Sequence, residues 1–111
     1  VNQVVLDGLV VERRALRYTP AGIAALDFVI AHESVQTESA VMAAGGGRHP
    51  GQRISLQLSA MAFGPLATQI NEASLDSRWT FEGHLAAKPA RAGVTSKAVR
   101  LHVQAARRTD T

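Results

Sequence analysis

The stretch Val4–Val11, VVLDGLVV, constrains this chain more than any other. Read with a period of two, Val4, Leu6 and Val10 share one face with Gly8, and Val5, Leu9 and Val11 share the other with Asp7. A segment apolar on both sides reads as a strand, and a glycine inside it marks a bulge or a sharp bend. A long first strand that must curve is what a small closed barrel requires.

The rest of the chain carries mostly the same period. In YTPAGI, Tyr18–Ile23, Pro20 presets the second turn position and Gly22 closes the turn, so a hairpin is expected. In the next strand Leu26, Phe28, Ile30 and His32 share a face. Residues 34–52 lose the pattern and contain three consecutive glycines and Pro50, which predicts a long, mobile loop. Residues 53–62 alternate strictly, with Ile54, Leu56, Leu58, Ala60 and Ala62 on one side. Residues 64–77 change period: Pro65 suits a first helical turn, and Leu66, Ile70 and Ala73 form a short apolar stripe. Residues 78–87 return to strand, with Trp79, Phe81 and Leu85 on one face and a bend expected at Gly83. A second mobile loop is expected over 87–97, a last strand over 98–105 and a fraying tail over 107–111. Three strands, a short helix and two strands predict an all-β five-stranded Greek-key barrel, the OB-fold, as one domain over residues 1–106. An SH3-like barrel is the nearest competitor, and the helix between strands three and four favours the OB-fold.

Enzymatic chemistry finds little support. The stretch GGRHPGQR, Gly46–Arg53, has the glycine spacing of a phosphate-cradling loop, but a strand rather than a helix follows it and the terminal Lys is missing. The histidines His32, His49, His84 and His102 form no metal-binding spacing, and there is no cysteine. The serines lack a nucleophile context and the carboxylates form no acid–base pair. The residues therefore predict no catalysis, no metal and no cofactor. No apolar run reaches the roughly 18 residues of a membrane span, and VNQVVLDG does not read as a signal peptide. With no cysteine, this fits a cytoplasmic protein.

Binding is better supported. Residues 1–77 carry five Lys/Arg against seven Asp/Glu, net −2, whereas residues 78–111 carry seven against two, net +5. Clustered positive potential attracts an anionic partner. On an OB-fold, Arg13, Arg14 and Arg17 flank the first hairpin turn, Arg48 and Arg53 lie in and beside the glycine loop, Lys88, Arg91 and Lys97 decorate the loop after strand four, and Arg100 is on the last strand. Together they predict a positive groove for a sugar-phosphate backbone, although each also suits a solvated loop. Stacking platforms are scarce: of five aromatics, Phe28, Phe81 and Trp79 sit on apolar strand faces that suit the core and Phe63 lies at a strand end, so Tyr18 and then Trp79 are the candidates, and His84 offers a flat ring.

These residues carry a resemblance. Arg17–Gln36, RYTPAGIAALDFVIAHESVQ, with its TPAGI turn and its H-x-S-x-Q ending at His32, Ser34 and Gln36, resembles the PriB family of primosomal replication proteins. The opening N-x-x-x-L-x-G of Asn2–Gly8 is similar too, as are SRWTFEGHL and SKAVRLH. The resemblance implies a homodimeric OB-fold that binds single-stranded DNA and works in replication restart with a helicase and a loader protein. It implies basic contacts at Arg17, Lys88, Arg91 and Lys97, and a stacking position at His84. This chain departs from it with a glycine run in 37–52, with Leu56 in place of a tryptophan and with Glu33 in place of a basic residue. The departures leave a second expectation: an adaptor that mainly contacts the helicase, with weak DNA binding.

Overall fold

The computed structural model of the chain describes residues 1–36, 51–90 and 92–109. In chain order these form β1 (Val4–Arg13), β2 (Arg17–Tyr18), β3 (Ala24–Gln36), β4 (Gln52–Phe63), α1 (Pro65–Glu72), β5 (Arg78–Ala87) and β6 (Val99–Arg108). The sheet runs β1-β5-β6-β4-β3-β2, and β1 pairs again with β3, so five long strands close into a barrel. The β4–β6 pairing, over Ala60–Leu101 and Met61–His102, is parallel, and the other pairings are antiparallel. This is the expected OB barrel, with its helix between the third and fourth long strands. The two-residue β2 is an addition: it is the return arm of the first hairpin, pairing Arg17 with Ala25 and Tyr18 with Ala24. Gly22, at φ 82°, closes that turn by donating to the Thr19 carbonyl at 2.8 Å.

Alternation selects the core. Leu26, Phe28 and Ile30 of β3 meet Ala60 and Ala62 of β4, Phe81 and Trp79 of β5, and Leu101 and Val103 of β6 inside the barrel. Phe81 is central, with ring centroids 5.7 Å from Phe28 and 6.2 Å from Trp79. Helix α1 packs Ala67 and Ile70 into the same core. The small residues Ala60, Ala62 and Ala67 leave room for these rings, and the one indole donor is satisfied by Ser77 Oγ at 2.9 Å. Trp79 is thus 1 % exposed, and the structure removes it as a stacking platform.

Both strand glycines are required by close approach. The first half of β1 pairs with β5 and the second half with β3. At the crossing, a β-carbon on Gly8 would lie 2.7 Å from the Ala31 carbonyl oxygen. On Gly83 it would penetrate the His102 carbonyl, where the β5–β6 register shifts between Glu82 and Gly83. A second irregularity lies in β1: Val10 opposes Ile30, but Glu12 opposes Val29, so Val11 is an extra residue. Such a bulge reverses the facing of everything after it. Arg13 therefore opposes the core residue Phe28 and reaches under the barrel to donate to the carbonyls of Ile70 (2.8 Å) and Ala73. Those carbonyls carry the negative end of the α1 dipole. Without the bulge, Glu12 would meet them instead.

Two family-like features also have structural roles. The Asn2 side chain donates to the Leu85 carbonyl (2.7 Å) and accepts from the Leu85 N–H (2.9 Å), extending the β1–β5 ladder. His32 Nδ1 donates to the Asp7 carbonyl (2.6 Å), Ser34 Oγ donates to His32 Nε2 (2.9 Å), and Gln36 Nε2 donates to Ser34 Oγ (3.0 Å). This relay ties the end of β3 to β1. β3 continues through Gln36, where a loop is expected from residue 34, because it stays paired with β4 as far as Gln36 opposite Gln52. At the other end β6 extends through Arg108, held by pairing of Arg107 with Thr80 and Arg108 with Trp79. The polar sequence there hides a strand that its partner imposes.

Gly83→Ala is expected to destabilise the barrel by about 2 kcal/mol or more, because backbone rather than a movable side chain blocks the new methyl. Urea denaturation measures it, and a loss below a few tenths of a kcal/mol would contradict the close approach.

Candidate nucleic-acid interface

Because the barrel is closed, the residues alternating with the core form its outer surface. Across β3, β4, β6 and β5 the register places Asp27 beside Met61, Met61 beside His102 and His102 beside His84. The next row brings Val29 beside Ser59 and Arg100 beside Ala86. A cleft of about 380 Å³ opens on this surface, lined by Glu12 and Arg14 from β1 and the turn after it, Asp27 and Val29 from β3, Ser59 from β4, and Arg100 from β6. Lys88 and Pro89 complete its wall. They begin the β5–β6 loop, whose neck is closed by the Lys88 N–H donating to the Ala98 carbonyl at 2.8 Å.

The predicted cations separate into groups. Lys88 and Arg100 line the cleft, and so does Arg14. Arg17 lies on the edge of the same surface, paired with Asp27 at 3.2 Å. Arg53 is on the far extension of the β3–β4 hairpin, paired with Glu33 at 3.1 Å. Both pairs are solvent-accessible, and exposed pairs of this kind contribute little and exchange partners readily. Lys97 is exposed in the β5–β6 loop and does not line the cleft. Arg13 stands apart, because its guanidinium is committed to the end of α1. Its neighbour Arg14, one residue on, lines the cleft on the outer face. Arg48 and Arg91 lie outside the described residues.

Tyr18 is 67 % exposed at the hairpin, as a platform requires. Phe63 is a second one that the sequence reading passed over as a strand end. It is 44 % exposed, follows Met61 on the outward face of β4 and opposes Ala25, whose other neighbour is Arg17. The alternation of Ala60 and Ala62 with Met61 and Phe63 contained that signal. His84 is half-buried and stacked on His102, with ring centroids 5.1 Å apart and planes at 28°. Arg100 Nε donates to His102 Nε2 at 3.4 Å, which places the His102 proton on Nδ1. Burial, and then the charges of Arg100 and His84, hold the His102 pKa below the usual imidazole value.

The surface thus combines cations from separate parts of the chain with flat rings at Tyr18 of β2, Phe63 of β4 and His84 of β5, and basic side chains with exposed rings are the means by which OB barrels bind single strands. The comparisons agree with that class. A family model described as another single-strand binding protein family matches residues 2–105. The replication restart protein PriB of Bordetella pertussis is 40% identical over 108 residues, covering 97% of this chain and 89% of that protein. The chain belongs to the PriB family of OB-fold proteins. In solved structures, PriB of Ralstonia solanacearum superposes with a TM-score of 0.74 at 20% identity, covering 98% of this chain and 99% of that one. The wild-type single-stranded DNA binding protein of Thermus aquaticus gives 0.71 at 21% identity, covering 99% of this chain and 50% of that one. At these identities the superpositions establish the shared fold.

Two outcomes follow from this geometry. Arg13→Met is expected to cost about 1–3 kcal/mol in denaturant unfolding, from lost charge-assisted bonds to helix carbonyls, while leaving nucleic-acid affinity unchanged in a titration. An unfolded His102 takes up its proton near pH 6.5, whereas the folded one resists. The stability it contributes is therefore complete above that pH and declines as pH falls from there through the lowered folded value. His102→Gln should flatten that decline in unfolding curves between pH 7 and 5, and an unaltered slope would assign the acid sensitivity to another group.

Proposed function

We propose that this chain binds single-stranded DNA along the outer face of β3 and β4, without strong dependence on stacking, and acts as an accessory protein of replication restart in the cytoplasm. The observation that carries this reading is the cleft, where Arg14, Lys88 and Arg100 come together from separate parts of the chain on the OB binding face. Arg17, Arg53 and Lys97 extend the positive path, and the proposal also assigns phosphate contacts to Arg48 and Arg91, which lie outside the described residues. Tyr18, Phe63 and His84 supply the few stacking surfaces. The likeness to a replication restart protein supports the cellular role, and contact with the restart helicase and a loader protein is part of the same proposal.

The same reading includes a homodimer. In the first half of β1, Val4–Leu9 pairs with β5 on one side, while pairing with β3 begins only at Leu9. Beyond the His32 bond to the Asp7 carbonyl, that edge has no strand partner among the described residues, and Val5 beside it is 61 % exposed. An open edge of this kind is suited to pairing with its own copy. The scarcity of exposed rings favours a second reading, in which helicase contact dominates and DNA binding is weak.

Sedimentation with and without a dT oligonucleotide tests stoichiometry and binding together. The expected result is a dimer that takes up DNA at physiological salt. A dimer that takes up none in the absence of the helicase would favour the adaptor. Charge reversal of Lys88, Arg91 and Lys97 together should weaken binding and flatten the slope of log affinity against log salt by about two, since each phosphate contact contributes roughly 0.7. An unchanged slope would take the β5–β6 loop out of the interface.

A further inference from the structure

The cleft contains a group that phosphate binding does not require. Among the cations of its lining stand two carboxylates, Glu12 and Asp27. Asp27 is compensated by Arg17 at 3.2 Å. The Glu12 carboxylate makes no ion pair or hydrogen bond among the described residues, and the residue is exposed. The β1 bulge is what presents it: with Val11 extra, Glu12 opposes Val29 on the outer face instead of Phe28 in the core. Bulges commonly aim a side chain at a site in this way.

A carboxylate repels a phosphate, so a strand in the cleft lies with phosphates at Arg14, Lys88 and Arg100 and with a base toward Glu12. Single strands are read in this manner, through the Watson–Crick edges of splayed bases. The edges differ in what they offer an acceptor pair. Thymine presents one N–H between two carbonyl oxygens, which a carboxylate repels. Cytosine and adenine each present one amino group beside a ring-nitrogen acceptor. Guanine presents N1–H and the 2-amino group side by side, matching both carboxylate oxygens. A volume of about 380 Å³ is within the range of small-molecule sites. We propose that the cleft is a guanine-preferring base site, in which Glu12 accepts from N1–H and the 2-amino group while Arg14, Lys88 and Arg100 hold the flanking phosphates. This rests on the single-stranded DNA reading above.

The test is fluorescence anisotropy at fixed salt with dT oligonucleotides of one length carrying a single central dG, deoxyinosine, dC or dT. A single substitution keeps the probe free of guanine quadruplexes. The protein is the unaltered chain, Glu12→Gln and Glu12→Ala. The unaltered chain should bind the dG oligonucleotide roughly tenfold more tightly than all-dT, within the range of one bidentate base contact. Deoxyinosine, which lacks the 2-amino group, should lose most of that preference. Both variants should bind dG and dT alike, and both should bind dT more tightly than the unaltered chain, because each removes a carboxylate that repels the phosphates. Equal affinity of the unaltered chain for dG and dT, or a preference that survives in Glu12→Gln, overturns the base site and leaves DNA binding standing. Failure to bind any of the oligonucleotides overturns the DNA-binding reading, and the base site with it.

Discussion

Ring closure by β1 is the constraint on which the rest depends. One ten-residue strand serves two neighbours, β5 along its first half and β3 along its second. It does so only because Gly8 lets the backbone of β3 approach and because an extra residue at Val11 resets the facing afterwards. Closure removes most of the free strand edges and encloses the Phe28–Phe81–Trp79 cluster. The same bulge then sorts two adjacent side chains of opposite charge. Arg13 goes inward to the carbonyl end of α1, and Glu12 goes outward to the cleft. Stability of the barrel end and the charge pattern of the outer face are therefore set by one irregularity.

The interface follows from the same geometry. In a small barrel each strand gives one face to the core, so the other is available to a ligand without cost to packing. Met61 is on that outer face, yet it is 4 % exposed, between Asp27 and His102. The β5–β6 loop adds Lys88 from one side, and the turn after β1 adds Arg14 from the other. These cations are partly offset by Asp27, Glu12 and Glu33, so the surface is not uniformly positive. A mixed surface discriminates between the phosphates and bases of a strand better than a purely basic one, because each carboxylate excludes a phosphate from its position.

Much of this was legible in the sequence. The five long strands, the helix beginning at Pro65 and the hairpin at Pro20–Gly22 all followed from period and turn chemistry, since those signals are local. Of the basic residues that the sequence singles out, Lys88 and Arg100 line the cleft. The position of Arg13 was not legible, because its facing depends on a bulge that exists only relative to β3. The burial of Trp79 was expected from its apolar face, and the exposure of Phe63 was hidden in an alternation that the strand end obscured. The paired stretch Arg107–Arg108 was read as a tail because nothing in RRTDT signals a strand.

By itself the sequence determined the kind of barrel, its helix and the basic bias of its last third, because alternation, prolines, glycines and charge act over a few residues. Only the tertiary structure decided which basic residues share a cleft, that Arg13 caps the helix instead of joining them, and that Glu12 stands among them. Those outcomes depend on register between strands distant in sequence, and a shift of one residue reverses them.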